Sequence, residues 1–289
     1  MLLEDKILGE DIKISRIKRN SSVKEHIVSP HYRLPSFEVT YNELNLKFKG
    51  NYGIIFRAYN EGIAYRFYTT MKGPLIIKDE MVQMNFPEDY PTFMSYSTMP
   101  TGEDQYAMAF QNLYTKSSIK GVDTNNIAFL PITIDCGNEL KMTLLESDLE
   151  DYPGMFLNNS TDKPVLKPVF APYPKVKKQG GHNNLQMLVE EREDYIAKTS
   201  GTRAFPWRVF VVSEDDKQLA DCDMVYRLAS PCRLQDVSWV KPGKVAWDWW
   251  NDWNIYDVDF RAGINNETYK YYIDFAAEHG IEYVILDEG

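Results

Sequence analysis

Residues 52–69 read YGIIFRAYNEGIAYRFYT, and this stretch decides the fold class. Two runs rich in β-branched and aromatic residues, Tyr52–Tyr59 and 63–69, are separated by Asn60, Glu61 and Gly62. Because Asn and Gly tolerate the positive φ angles of tight turns, this arrangement predicts a β-hairpin. The sequence therefore predicts antiparallel strands in this part of the chain.

Further strand signals lie on both sides of this hairpin. Leu44, Leu46 and Phe48 alternate with polar neighbours, which is the period-two pattern of a half-buried strand. Other strands are predicted at residues 129–134, 140–146, 185–189 and 207–212. Residues 158–181 are rich in Asn, Pro, Lys and Gly and are predicted to form a long loop. Many strands with few helices predict a mainly β fold, a large antiparallel β-sandwich.

The pattern changes after Pro231. A strand is predicted at residues 244–250, followed by a helix that Asn265 or Asn266 caps and that Gly280 ends. The continuous apolar run at 281–286 is typical of a buried parallel strand. These elements form a β-α-β unit, so we predict a sandwich domain over residues 1–235 and the start of a truncated α/β domain over 236–289.

Composition and charge exclude several classes of function. The net charge of −10 would repel a phosphate backbone, so nucleic acid is not an expected partner. The three cysteines are too few for a disulfide framework and lack metal-ligand spacing. No apolar run reaches the roughly 20 residues that a membrane-spanning helix needs. Aromatic residues make up 13% of the chain and supply stacking faces suited to sugars or other flat ligands.

Three segments in order and spacing carry a resemblance to a known family: LLESDLEDYPGM at 144–155, FPWRV at 205–209 and KPGKVAWDWW at 241–250. Together with FRAY at 56–59 and YVILDEG at 283–289, they resemble glycoside hydrolase family 97. The resemblance implies an N-terminal β-super-sandwich, a (β/α)8 catalytic barrel and a small C-terminal β-domain. The β-α-β unit is then the first of that barrel. The first sandwich strands and barrel strands three to eight are expected outside this sequence.

The resemblance implies a fragment of an exo-acting α-glycosidase, an α-glucosidase or α-galactosidase that hydrolyses oligosaccharides with calcium at its active site. Glycoside hydrolysis needs two carboxyl groups, which this resemblance places beyond residue 289, so no catalytic residue is assigned. Sugar specificity and the choice between retention and inversion stay open, and so do protein partners. The alternative is a non-catalytic carbohydrate-binding or structural β-sandwich module, which has no need of a β-α-β unit. The resemblance also implies a periplasmic or secreted parent protein.

Glu146 is the candidate metal ligand. It ends a predicted strand on the same side as Met142 and Leu144, so its carboxylate is directed toward an apolar face. A buried carboxylate needs a cation, an Arg or a proton, and a salt bridge is the alternative to a metal. The resemblance implies a calcium ligand. Ser147 and Glu150 have capping-box spacing and predict a single helical turn directly afterwards.

Asp248, Trp249 and Asp287 are the candidate substrate-binding residues. If 244–250 is one strand, Trp247 and Trp249 point to one side while Asp248 and Trp250 point to the other. An indole near the rim of the barrel would stack on a sugar ring, and Asp248 would bind a hydroxyl; core packing is the alternative. Asp287 follows the second predicted strand, at the edge where barrel enzymes place their active sites.

Overall fold

A computed structural model describes residues 1–29, 32–97, 104–107 and 110–287. These residues divide into two compact units. One contains the described residues of 1–30 and 34–231, and the other contains those of 31–33 and 232–289. The predicted boundary after residue 235 lies close to this division. Glu288 and Gly289, the end of the last segment of the resemblance, lie outside the described residues.

The first unit consists mainly of β-strands. They are β1 (Leu2–Leu3), β2 (Ile14–Val28), β3 (Ser36–Phe48), β4 (Tyr52–Tyr59), β5 (Gly62–Asp79), β6 (Met84–Asn85), β7 (Pro91–Ser97), β8 (Thr115–Ser118), β9 (Ile127–Asp135), β10 (Lys141–Ser147), β11 (Met155–Asn158), β12 (Val165–Phe170), β13 (Pro174–Gly180), β14 (Gln186–Arg192), β15 (Ala197–Ala204) and β16 (Trp207–Ser213). Two short helices follow, α1 (Asp216–Ala220) and α2 (Met224–Leu228).

All these strands except β13 and β14, which form a separate hairpin, join one hydrogen-bonded antiparallel sheet. Its main order is β2-β3-β4-β5-β16-β10-β9-β11-β12-β6. The first part of β5 pairs with β4 and β16, whereas its later part pairs with β1 and β15. The long β5 therefore has different neighbouring strands along its length.

The two faces of β16 are both buried, against different cores. Trp207, Val209 and Val211 pack with Met224 and Leu228 of α2 in one cluster. The opposite face meets the larger core, whose most deeply buried members include Ile77, Ile132, Ile134, Leu144 and Leu157. Burying each of these aliphatic side chains stabilises the fold by about 1.5–3 kcal/mol. Burial on both faces confirms the predicted large antiparallel sandwich.

Most predicted strands are confirmed. The first hairpin has Tyr59 opposite Gly62, so the turn falls where the sequence predicts it. The long loop predicted over 158–181 is wrong, because β12 and β13 lie within it. Pro168 pairs with Leu157 of β11, but on the other side β6 pairs only with Val165 and Leu166. A proline is tolerated there because no ladder partner needs its missing N–H.

The second unit contains one β-α-β arrangement. Strands β17 (Val245–Trp247) and β18 (Tyr283–Ile285) are parallel, and α3 (Asn266–Glu278) connects them. The Asn265 side chain caps α3 by accepting a bond from Thr268 N–H, and Gly280 takes the left-handed conformation after its end. The predicted helix and its caps are confirmed. Membership of a barrel stays a prediction.

Both strands of the second unit are shorter than predicted. β17 ends at Trp247, and a 3₁₀ turn over Asp248–Asn251 takes the place of its predicted second half. The run at 281–286 was predicted to be a continuous buried strand, but β18 covers only its middle, and Tyr283 and Ile285 are each 44% exposed. Among the described residues, no helix has the length and apolar character needed to cross a membrane.

Candidate functional site

Glu146 lies near the end of β10, directly opposite Arg208 of β16. Arg208 Nη1 donates to Glu146 Oε2 over 2.7 Å. The Met155 N–H donates to both carboxylate oxygens, at 3.2 Å from Oε1 and 3.1 Å from Oε2. The carboxylate therefore has a guanidinium partner, as the salt-bridge alternative requires, and its role as a metal ligand stays a prediction.

Arg208 has a second and stronger partner in Glu80, the residue after β5. Its Nε and Nη2 donate to the two oxygens of Glu80 over 3.0 and 2.7 Å, which is the bidentate geometry that guanidinium groups favour. Both side chains are only 2% exposed. Burial by itself lowers the pKa of Arg208, but attraction to Glu80 and Glu146 outweighs it and raises the pKa above its usual value.

The Glu146 side chain keeps 16% of its surface exposed and lines a cavity of about 500 Å³. Gln111 and Asn112 line the same cavity, and the rings of Phe110 and Phe156, 5.3 Å apart, form part of its wall. Burial raises the pKa of Glu146, although Arg208 and the Met155 N–H oppose this change. The carboxylate thus lies at a polar point of a partly aromatic cavity.

Gly154 leaves space beside this carboxylate. A Cβ atom at position 154 would lie 3.3 Å from Glu146 Oε1, which is tighter than an ordinary van der Waals contact. The φ angle of Gly154 is not in the left-handed region, so backbone conformation does not require glycine here. A side chain at position 154 would therefore crowd Oε1.

The chain after Glu146 is fixed by tertiary contacts, and the predicted helical turn is wrong. Ser147 Oγ donates to Val225 O of α2 over 2.6 Å instead of capping a turn. Asp148 adopts a left-handed φ of 62° and accepts bonds from Arg66 Nη2, Ser230 N and Ser230 Oγ, at 2.8–3.0 Å. Asp148 thus accepts hydrogen bonds from residues far away in the chain, and these contacts take the place of the local capping that the spacing suggests.

In the second unit, the predicted substrate-binding residues gather at the C-terminal ends of the parallel strands. Asp248 directly follows β17, and Asp287 lies two residues after β18. Trp247 Nε1 donates to Asp287 Oδ2 over 3.1 Å, and the Asp287 N–H lies 3.4 Å from Asp248 Oδ1. The sequence-predicted carboxylates of this edge are therefore neighbours.

Asp248 and Trp249 have different environments. Asp248 is fully buried, and its Oδ2 accepts a bond from Trp253 Nε1 over 3.0 Å. Trp253 adopts a left-handed φ of 52°, a strained angle for a bulky residue, and this turn brings its indole back toward Asp248. Trp249 is 44% exposed, with its ring 4.7 Å from that of Trp253. Asp248 therefore organises this edge, while Trp249 and Asp287 remain accessible.

The predicted alternation of the tryptophans is wrong, because β17 ends before it can apply. Trp249 and Trp250 belong to the 3₁₀ turn, where side chains do not alternate between two faces. Trp250 is 82% exposed, and its ring centroid lies 6.3 Å from that of Trp247. The roles of Asp248, Trp249 and Asp287 toward a substrate stay predictions.

Sequence reasoning missed Glu80 and Arg208. Glu80 is 128 residues from Arg208 in the chain, so no local spacing connects them. One signal was present: Arg208 interrupts an apolar run between Trp207 and Val209, and an arginine inside a buried strand requires a carboxylate partner.

Comparison with known proteins finds two matching family models. The one described as Glycosyl-hydrolase 97 N-terminal matches residues 1–231, and the one described as Glycoside hydrolase 97 matches residues 249–289. A retaining alpha-galactosidase of Bacteroides thetaiotaomicron is 48% identical over 98% of this chain. The chain spans 43% of the length of that relative.

Solved structures share the fold at lower identity. The crystal structure of a beta-arabinopyranosidase has a TM-score of 0.77 and 18% identity, covering 98% of this chain and 44% of the other. A glycoside hydrolase family 97 enzyme from Pseudoalteromonas sp. strain K8, solved in complex with acarbose, has a TM-score of 0.71 and 22% identity. That match covers 94% of this chain and 39% of the other.

Proposed function

The chain belongs to glycoside hydrolase family 97, and from that premise we propose that it forms part of a retaining α-galactosidase. In this proposal it supplies the β-sandwich and the first β-α-β unit of the catalytic domain. One observation carries the proposal: 48% identity to a retaining alpha-galactosidase continues through both units. The sequence left glucoside and galactoside open, and the activity of this relative favours the galactoside and retention.

The second unit favours an enzyme over a purely binding sandwich. Active sites of barrel enzymes lie at the C-terminal ends of the parallel strands, which is the edge where Asp287 and Trp249 are accessible. In the proposed enzyme the Trp249 indole stacks on a sugar ring, and Asp287 accepts a bond from a sugar hydroxyl. The buried Asp248 stabilises this edge through its hydrogen bond with Trp253. The acid and the nucleophile of the retaining reaction belong to the remainder of the complete gene product.

Calcium is the proposed cofactor, with Glu146 as the ligand from the sandwich. Calcium takes about six to eight oxygen ligands, so a single carboxylate is one member of a larger set. Within the described residues, no group of three or more His, Cys, Asp or Glu is arranged to hold a metal ion. The fit of Glu146 rests on the open space that Gly154 leaves beside Oε1. When bound, calcium would supply positive charge near the reacting sugar.

The test uses the complete gene product that contains residues 1–289. Aryl α-galactosides and aryl α-glucosides are compared as substrates, and the first sugar released is followed by NMR before it mutarotates. We expect the galactoside to be the better substrate and the first product to be the α-anomer. Initial release of the β-anomer, or a preference for the glucoside, would refute the corresponding part of the proposal.

Residues 1–289 alone serve as the control polypeptide. We expect this polypeptide not to cleave either substrate, because the proposal assigns the acid and the nucleophile to the rest of the protein. Turnover that a substitution within residues 1–289 abolishes would show that the active site has been misassigned. We also propose, from the family resemblance, that the complete protein is exported, and fractionation of the native host tests this.

A further inference from the structure

We propose that Glu80 and Arg208 form a buried clamp that directs the Glu146 carboxylate into its cavity and leaves its negative charge available to a cation. The clamp consists of these three side chains. This inference rests on the proposed role of Glu146 as a calcium ligand, and it names Glu80 and Arg208 as positioning residues for that ligand. Neither of them is proposed to touch the metal.

The geometry of the clamp brings together residues that are far apart in the chain. Arg208 lies opposite Glu146 of β10 on one side of β16 and opposite Tyr65 of β5 on the other. Glu80 follows the last residue of β5, fifteen residues after Tyr65, and reaches Arg208 through a long-range contact. Glu80 occupies Nε and Nη2, and Glu146 takes the remaining terminal nitrogen, Nη1. The guanidinium plane is thereby fixed by two bonds on one side. Its third bond sets where the Glu146 carboxylate lies.

The charges of the clamp do not cancel. Two carboxylates share one guanidinium, which leaves an excess of one negative charge. Glu80 is fully enclosed and doubly bonded to Arg208, so it neutralises the guanidinium most effectively. Glu146 is the one carboxylate of the three-residue clamp that reaches the cavity, so a cation that binds there would balance the excess charge.

A purely structural ion pair would not need this arrangement. Glu80 alone satisfies the charge of Arg208, and a second buried carboxylate adds a desolvation penalty without a cation to balance it. A cation approaching Oε1, on the side that Gly154 leaves open, would remove this imbalance. Partners outside the metal's immediate ligands commonly orient carboxylate ligands in this way.

The experiment measures calcium binding directly in the complete gene product. After chelation, the calcium Kd is determined by calorimetry for the wild type, Arg208→Lys and Glu80→Gln. Lysine keeps the charge but cannot hold two carboxylates with a planar fork. Glu80→Gln leaves the guanidinium unneutralised, so Arg208 competes with calcium for Glu146. We expect both variants to bind calcium about 10–100-fold more weakly.

Europium luminescence lifetimes in H₂O and D₂O provide a second readout, with Eu³⁺ as the probe at the calcium site. We expect an additional inner-sphere water in both variants, because a misdirected Glu146 leaves a coordination position open. A loss of stability alone would not change the hydration of the ion. The melting temperature of the calcium-free protein shows whether each variant is folded.

The matched control is Arg66→Lys. Arg66 pairs with Asp148 over 2.8 Å just beyond the same strand, with side chains that are 13% and 7% exposed. We expect this variant to lose stability while its calcium Kd and europium hydration stay unchanged. If Arg208→Lys does not fold, Glu80→Asp replaces it, since aspartate keeps the charge and shortens the reach, and weaker calcium binding is again expected.

Glu146→Gln separates the two levels of the proposal. Weaker binding in Glu146→Gln, together with unchanged Kd and hydration in the folded clamp variants, would overturn the clamp and leave the calcium ligand intact. Unchanged calcium binding in Glu146→Gln itself would overturn the ligand assignment and the clamp with it. Galactosidase activity is assayed separately, so neither outcome is confused with a wrong substrate.

Discussion

Replacing Asp148 by asparagine should destabilise the sandwich strongly, although the two side chains have nearly the same shape. Asp148 accepts bonds from Arg66 and from the amide and hydroxyl of Ser230. Asparagine tolerates the left-handed φ of 62° but carries no charge. The substitution therefore removes the charge and leaves the backbone conformation acceptable.

The expected loss follows from burial. Removing one partner of a fully buried ion pair costs about 3–5 kcal/mol, because the remaining charge is left uncompensated. The Arg66 side chain is 13% exposed and that of Asp148 is 7% exposed, so water screens the pair slightly. We therefore expect the free energy of unfolding to fall by about 3 kcal/mol, at the lower end of that range.

Two further variants isolate the backbone contribution. Asp148→Ala and Asp148→Gly both lose all three hydrogen bonds, but only alanine carries the penalty for a left-handed φ, about 1–2 kcal/mol. The advantage of the glycine variant is reduced by about 0.5–1 kcal/mol, because glycine loses more conformational entropy on folding. The glycine variant should therefore be the more stable of the two, by about 0.5–1 kcal/mol.

Equilibrium urea denaturation followed by far-ultraviolet circular dichroism measures these differences. The matched control is Asp151→Asn, since Asp151 also has a positive φ, 46°, but its side chain is exposed. We expect this control to stay close to the wild type. If Asp148→Asn and Asp151→Asn shift the urea midpoint equally, the ion pair with Arg66 contributes nothing and the reasoning fails.

Two other substitutions test the turn and the cap that the sequence predicts. Gly62→Ala should lower the free energy of unfolding by about 3 kcal/mol, because its Cβ would lie 2.1 Å from Phe210 O. The control is Gly137→Ala, whose Cβ would meet nothing within 4 Å. In the same urea titration its free energy of unfolding should fall by only about 1 kcal/mol. Asn265→Ala should destabilise α3 by about 1 kcal/mol, and amide hydrogen exchange in that helix should become faster. Asn266→Ala should leave the exchange rates unchanged. Equal exchange rates in the two variants would contradict the assignment of Asn265 as the cap.

Local patterns were sufficient where one signal dominated. β4 has the predicted bounds because its run of β-branched and aromatic residues and the Asn60-Glu61-Gly62 turn agree. Local sequence patterns gave wrong predictions where two signals competed, such as strand-forming residues beside lysine and proline. The lysines and Pro168 hid β12, and the apolar run of tryptophans after Trp247 suggested a strand where the backbone instead forms a 3₁₀ turn.

The candidate site was predictable only in part, for a different reason. The position of Glu146 at the end of a strand follows from alternation, and the positions of Asp248 and Asp287 follow from the β-α-β pattern. Arg208 pairs with Tyr65 near the start of β5, whereas Glu80 follows the end of that strand, so their contact depends on the tertiary fold, and sequence spacing carries no information about it. The electrostatic environment of Glu146 therefore required the structure.

The central position of β16 has a consequence for protein synthesis. It is the last strand of the large sheet to leave the ribosome, yet it separates β5 from β10. Until residue 213 has emerged, the nascent chain presents open edges on β5 and on β10, together with two carboxylates that await Arg208. Open edges of this kind promote aggregation. A pause in translation before β16 is complete would therefore prolong the exposure of these two edges.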